Sequence, residues 1–250
     1  MIYESTFDMD HTVTEAFSSP VNFEDLYINI RQKEHRVYTN EEVALLPGIY
    51  PDHIHYHEWQ IRKRSSERLI NYLNKKNKSL KILEVGCGNG WLSAKMADIA
   101  DSKVTGLDIN LTELKQAFEV FDKPNLSFIY GSVHDKFRGP SFDIIVFAAS
   151  VQYFPSLKEI ISRALLLLNP GGEIHILDTP FYENTEVENA IERTKKYYTG
   201  LGYPEMAAYY FHHNINELKN FKHQFLYRGD SIINKLLGKN DPFSWIRISK

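Results

Sequence analysis

Between residues 80 and 180 the chain repeats one pattern: a short apolar, β-rich run, a turn, then a stretch with apolar residues at helical spacing. The runs Leu80–Val85, Lys103–Asp108, Asn125–Tyr130, Phe142–Phe147 and Glu173–Leu177 have strand length and are too apolar for exposed edges, so they predict a parallel sheet wound by helices. The clearest helix is Ser156–Leu168. Leu157, Ile160, Ile161, Ala164, Leu165 and Leu168 share one face, and Asn169-Pro170-Gly171-Gly172 stops it with a turn.

Residues 1–78 read as an arm with a break at Pro47-Gly48, followed by a helix from about Glu58 to Asn74. Residues 79–250 hold the wound core, with an aromatic insertion at about 181–213. There Gly200, Gly202 and Pro204 predict two helical pieces with a bend between them. The tail offers two more strands, Phe221–Tyr227 and Phe243–Ile248, separated by too many residues for a tight hairpin.

Composition narrows the function. With 29 Lys+Arg against 32 Asp+Glu, the chain lacks the positive excess of general nucleic-acid binders. The basic run Arg62, Lys63, Arg64, Arg68, Lys75, Lys76, Lys78 and Lys81 is expected to be the solvated face of a helix rather than an RNA-facing stripe, since Ile61, Leu69, Tyr72 and Leu73 supply an apolar side. No stretch approaches the roughly 18 apolar residues of a membrane span, and the N-terminus lacks a signal pattern, so a reduced, cytoplasmic setting is expected. A single cysteine excludes an intramolecular disulfide, a cysteine zinc cage and an iron–sulfur cluster. His53, His55 and His57 would share a face only in a strand, and the helix that follows argues against one, so no metal is expected.

The most informative stretch is Leu80-Lys-Ile-Leu-Glu84-Val-Gly86-Cys87-Gly88-Asn89-Gly90-Trp91, a strand that runs through spaced glycines into a helix. Glycine lets backbone approach a ligand, and a helix start points N–H groups at it. A dinucleotide-binding turn would need glycine at position 91, where this chain has Trp, so a nicotinamide cofactor is disfavoured. The pattern Glu84-x-Gly86-x-Gly88-x-Gly90 resembles the first motif of class I S-adenosylmethionine-dependent methyltransferases. Gly106-Leu-Asp108-Ile-Asn110, Phe142-Asp-Ile-Ile-Val-Phe-Ala-Ala-Ser150 and Leu167-Leu-Asn-Pro-Gly-Gly-Glu-Ile-His-Ile-Leu177 resemble its later motifs in order.

The resemblance implies an α/β fold with a Rossmann-like, doubly wound, mostly parallel sheet of seven strands, the last antiparallel, plus an N-terminal helical cap and an inserted lid. It also implies S-adenosyl-L-methionine as cofactor. Asp108 would accept the ribose hydroxyls, Glu84 would sit beside the cationic end, and Ile109 would wall the adenine, with Ser132 or the Val133 backbone as its polar contact. Ala148 and Ala149 would leave room for the methionine end. The segment from Tyr50 to Arg62 is expected to close over the cofactor, with Arg62 on its carboxylate and Trp59 or Tyr56 lining the site.

In-line methyl transfer needs alignment more than covalent help. Methylation at a pyrimidine carbon uses a cysteine nucleophile, and Cys87 lies inside the glycine loop. Methylases of adenine or glutamine amides carry an Asn/Asp-Pro-Pro-aromatic motif where this chain reads Ala149-Ser-Val-Gln-Tyr153. The expected acceptor is therefore a small molecule, with the accepting O, N or C atom open. The alternatives are an RNA or protein methyltransferase and a non-catalytic cofactor-binding protein. Tyr210, His212 and His213 of the insertion are the candidate catalytic groups, with a histidine as base. Gln152 and Tyr153 are further candidates for acceptor contact.

Overall fold

A computed structural model of the chain describes residues 23–229 and 241–250; the first 22 residues of the expected arm lie outside it. The strands are β1 (Leu80–Val85), β2 (Ser102–Asp108), β3 (Leu126–Tyr130), β4 (Phe142–Ala148), β5 (Leu168–Leu177), β6 (His223–Tyr227) and β7 (Trp245–Ser249). They form one sheet in the order β3-β2-β1-β4-β5-β7-β6. The first five run parallel, and β7 is antiparallel to both β5 and β6. The order reverses between β1 and β4, so a crevice opens at their C-terminal ends.

Period-two alternation sends neighbouring residues to opposite faces. Ile82, Ile144 and Val146 join one buried cluster with Trp59, Leu69 and Leu73 of α3 (Tyr56–Asn74) and with Trp91 and Met96 of α4 (Trp91–Met96). Leu83, Ile145 and Phe147 join the other with Ile160, Ile161, Ala164 and Leu167 of α7 (Leu157–Leu167). Ser156 caps α7, its Oγ accepting from Glu159 N at 3.2 Å. Because α3 shares the first cluster, the N-terminal cap and the sheet are built on common core.

The observed elements differ from expectation mainly at their ends. Strand β5 begins at Leu168, directly after α7, and its pairing with β4 skips from Leu168 to Glu173 through the Asn-Pro-Gly-Gly segment. The basic run is less solvated than its pattern implies. Arg64 and Arg68 both grip Asp241, which is 1% exposed, at 2.5 and 2.6 Å, and Lys76 reaches Glu173 at 2.7 Å. No helix among the described residues is long and apolar enough to cross a membrane.

Five further α-helices complete the set among the described residues: α1 (Phe23–Lys33), α2 (Asn40–Leu45), α5 (Leu111–Val120), α6 (Val133–Lys136) and α8 (Val187–Leu201). Helix α8 ends at Gly202, which adopts φ 87°, and a 3-10 turn over Pro204–Tyr209 follows, giving the expected bend. Leu26 and Ile30 of α1 pack on Tyr198 and Met206. Glu24 of α1 accepts hydrogen bonds from Leu111 N and Thr112 N, which ties α1 to the start of α5.

Candidate active site

The turn after β1 is built by its glycines. Gly86, Gly88 and Gly90 have φ 76°, 52° and 77°, the left-handed region that favours glycine. They also solve a packing problem: a Cβ on Gly86 would meet Ser150 Cβ at 2.5 Å, and one on Gly90 would meet the Phe128 ring at 2.6 Å. The sequence pattern casts these glycines as points where a ligand approaches; at Gly86 and Gly90 the close neighbour is protein. The turn is pinned to β2, since Gly86 N and Cys87 N donate to Leu107 O at 2.8 and 3.1 Å.

Asp108 sits at the end of β2 against this turn. Its Oδ2 accepts from Gly88 N at 2.6 Å and its Oδ1 from Asn110 N at 2.8 Å. A carboxylate offers about four lone-pair sites, so each oxygen keeps one for an incoming hydroxyl. Ile109 beside it is 47% exposed, an apolar surface at the mouth of the crevice. Ser132 caps a short turn of helix, accepting from His134 N and donating to Asp135, and Val133 is buried in the core. The Ser132 O–H is thus engaged, and its oxygen keeps one lone pair. Ala148 ends β4, and Ala149 follows it at φ 53°.

Burial dominates the electrostatics under the turn. Glu84 is 2% exposed, accepts from Ser93 Oγ at 2.5 Å, and burial pushes its carboxyl up to about 8, helped by the nearby Asp108 charge. Burial likewise lifts Glu113 to about 7, against the pull of Arg31. Cys87 is buried with its thiol pushed well up, its Sγ lying over Gly106, so it is no nucleophile. Asn89 is buried in the same turn.

These raised acids give a pH dependence with a definite sign. A carboxyl that holds its proton more tightly folded than unfolded contributes stability that is complete below its ordinary value of 4.5 and lost as the pH rises through about 8. The melting temperature is therefore expected to fall by several degrees between pH 5 and 8. Glu84→Gln should flatten that slope, most clearly above pH 7, where Glu113 is more than half ionised and Glu84 still holds most of its proton; an unchanged slope in a thermal melt series would contradict the assignment.

A cavity of about 530 Å³ opens beyond β4 and β5, lined by Arg62 of α3, Ala149, Gln152, Tyr153, Asp178, Tyr210, and residues of α1 and α8. Among the described residues its wall includes neither histidine of the insertion. His213 is 4% exposed with Nε2 facing Val151 O at 3.0 Å, and His212 Nε2 faces Thr194 Oγ1 at 2.8 Å. His213 thus ties the insertion to the turn after β4, the His212 contact lies within the insertion, and neither ring is part of the cavity lining. Trp59 is also displaced from its expected place: it is 5% exposed, donates to Tyr38 Oη at 3.0 Å and stands edge-on to Trp91. Trp91, where a dinucleotide fold has glycine, is filling this helix contact.

Gln152 lines the cavity but spends its side chain on the fold, donating to Ala149 O at 2.7 Å and accepting from Thr179 Oγ1 at 3.1 Å. Sequence reasoning missed Arg31, Glu113 and Asp178. For Asp178 a signal existed: like Asp108, it is a carboxylate next to the C-terminal end of a parallel strand.

The sequence profile of a methyltransferase domain matches residues 76–232, more than half of the chain. The chain belongs to the class I S-adenosylmethionine-dependent methyltransferases. Among similar curated proteins is malonyl-acyl-carrier-protein O-methyltransferase 1 of Ilyobacter polytropus, 32% identical over 46% of this chain and 44% of that protein. Another is the sterol 24-C-methyltransferase erg-4 of Neurospora crassa, 26% identical over 67% of this chain and 44% of its own. The match thus spans less than half the length of these two relatives. Magnesium protoporphyrin IX methyltransferase of Synechocystis PCC 6803, solved with bound SAH, shares the fold with a TM-score of 0.56 at 15% identity, covering 90% of this chain and 99% of its own.

The residues of this chain fit its family's cofactor, S-adenosyl-L-methionine, which supplies an electrophilic methyl group when bound. The fit rests on the donor set. Asp108 is held rigid by two backbone N–H groups with acceptor capacity to spare, and exposed Ile109 adjoins it. Buried Glu84 favours a neighbouring positive charge, which would lower its proton affinity.

Proposed function

We propose that this protein transfers a methyl group from S-adenosyl-L-methionine to a small molecule seated in the cavity beyond β4 and β5. The observation that carries the reading is that α1 joins two features: its Glu24 holds Leu111 N just past the pinned ribose-type carboxylate, Asp108, and its Tyr27 and Arg31 line the aromatic chamber together with Ala149. Asp108 would orient the nucleoside through its free lone pairs, and Arg62 would hold the cofactor's carboxylate from the cavity side. Tyr153 and Tyr210 line the chamber and stand edge-on with ring centroids 5.8 Å apart, giving an aromatic corner against which an acceptor can pack. A chamber of this size suits a small molecule, whose pockets run to about 300–1,000 Å³.

Thermal shifts with S-adenosyl-L-methionine, S-adenosyl-L-homocysteine and NAD test the cofactor directly. The first two should stabilise the chain; stabilisation by NAD alone would overturn the reading. Arg62 is paired with Glu58 at 3.0 Å and lies over Trp59 at 5.4 Å, which preorganises it on α3. Arg62→Ala should weaken cofactor binding about tenfold, the loss of one charge-assisted hydrogen bond. Unchanged affinity in calorimetry would remove Arg62 from the site.

A further inference from the structure

At the ends of the adjacent strands β4 and β5, Ala149 and Asp178 both stand in the left-handed region, at φ 53° and 52°. Non-glycine residues adopt it at a cost of about 1–2 kcal/mol, and here the Gln152 clip between Ala149 O and Thr179 holds both strand ends in place. The result is a carboxylate in the cavity wall. Asp178 is 8% exposed; its Oδ2 accepts from Ser65 Oγ at 2.9 Å, while its Oδ1 is buried with no hydrogen-bond partner among the described residues. A buried acceptor left unpaired costs about 1–3 kcal/mol, and Asp178 is a lining residue of the cavity.

The rest of the wall says what kind of partner. Arg31, Glu34, Arg36, Glu58 and Arg62 form a ladder of alternating charge, with successive contacts of 3.6, 3.3, 2.5 and 3.0 Å. Added to Asp178, this ladder carries no net formal charge; Arg193 is exposed at the mouth. A balanced wall offers little net attraction to an ion. The facing wall carries Tyr27, Tyr153, Tyr182, Tyr198 and Tyr210, whose rings suit a flat apolar body. Two buried groups of this wall remain unmatched, one donor, Arg31 Nε, and one acceptor, Asp178 Oδ1, and it is the acceptor that calls for a donor.

We propose that Asp178 is the acceptor-selecting residue of this site: its Oδ1 takes the hydrogen bond of a neutral O–H or N–H group carried on a flat ring. The inference rests on the methyl-transfer reading above and narrows its substrate class to ring-borne hydroxyls and neutral amines. A site built around such a donor rejects analogues that lack it, because the carboxylate oxygen is then left unpaired. Removing the carboxylate should accordingly abolish discrimination while leaving the ring contacts intact.

The test uses the full chain saturated with S-adenosyl-L-homocysteine and reads probe binding by saturation-transfer NMR. The probes are catechol and aniline as neutral donors, anisole as a ring without a donor, and benzylamine and benzoate as ions. Catechol or aniline should bind at least about tenfold more tightly than anisole, benzylamine and benzoate, the two donors distinguishing hydroxyl from amine. Asp178→Ala should erase that preference, as should the near-isosteric Asp178→Asn, which keeps an acceptor for Ser65 if the alanine variant fails to fold. Equal binding of anisole, preference for either ion, failure of every probe, or a preference that survives Asp178→Asn would each overturn the proposal. Calorimetry with S-adenosyl-L-homocysteine separates the two readings. Cofactor binding by the unaltered protein while every probe fails rejects this inference alone; no cofactor binding in the unaltered protein rejects the methyl-transfer reading beneath it.

Discussion

Asp108→Ala is expected to weaken S-adenosyl-L-methionine binding by more than about a hundredfold, measured by isothermal calorimetry. Two contributions add. A carboxylate that accepts two ribose hydroxyl hydrogens loses two charge-assisted hydrogen bonds, about 1.5–3 kcal/mol each, and every 1.4 kcal/mol is about tenfold in affinity. The same substitution also frees Gly88 N and Asn110 N, which Asp108 now holds at 2.6 and 2.8 Å, so the turn loses its anchor to β2. Asparagine does not rescue both anchors, because its amide nitrogen would face one of the two N–H donors. Affinity within threefold of the unaltered protein would show that Asp108 is a turn residue and nothing more.

Gly90→Ala is expected to destabilise the fold by about 2–5 kcal/mol, the sum of a left-handed non-glycine residue and an overpacked contact. Gly90 has φ 77°, and its new methyl would lie 2.6 Å from the Phe128 ring and 2.9 Å from Ala117 Cβ. Phe128 and Ala117 are buried, so neither has space to withdraw into. Gly200→Ala is the matched control. Gly200 lies in α8, its added methyl meets nothing within 4 Å, and the substitution should be neutral or stabilising by up to about 1 kcal/mol. Equal urea midpoints for the two variants would contradict the packing argument.

How far the fold could be read from the chain depended on where periodicity was strong. The five parallel strands are continuous apolar runs between turns, so their cores were legible and only their ends moved; β5 starts earlier because the Pro-Gly segment continues along β4 with a skip in register. The turn after β1 and Asp108 were legible because their chemistry is local: closely spaced glycines and a carboxylate at a strand end. What lay beyond reach was everything decided by contacts between distant segments. Trp59 and Arg62 sit three residues apart on α3, yet one packs on Trp91 and the other lines the cavity.

The histidines show the same limit. His212 and His213 carry the right chemistry for a base, and only the fold reveals that Val151 O and Thr194 Oγ1 engage their rings. Conversely, Arg31 and Tyr27 reach the cavity from α1, more than a hundred residues from Tyr153 and Tyr210, and no spacing in the chain links them. Asp178 stood next to a motif already recognised, but its value comes from an oxygen without a partner, which is a property of packing.

Incubating the purified chain and methyl-labelled S-adenosyl-L-methionine with a metabolite extract in one arm and total RNA and protein in the other tests small-molecule methylation most directly. Label should appear in low-molecular-mass material soluble in organic solvent. Label confined to RNA or protein, with the small-molecule fraction blank, would contradict it.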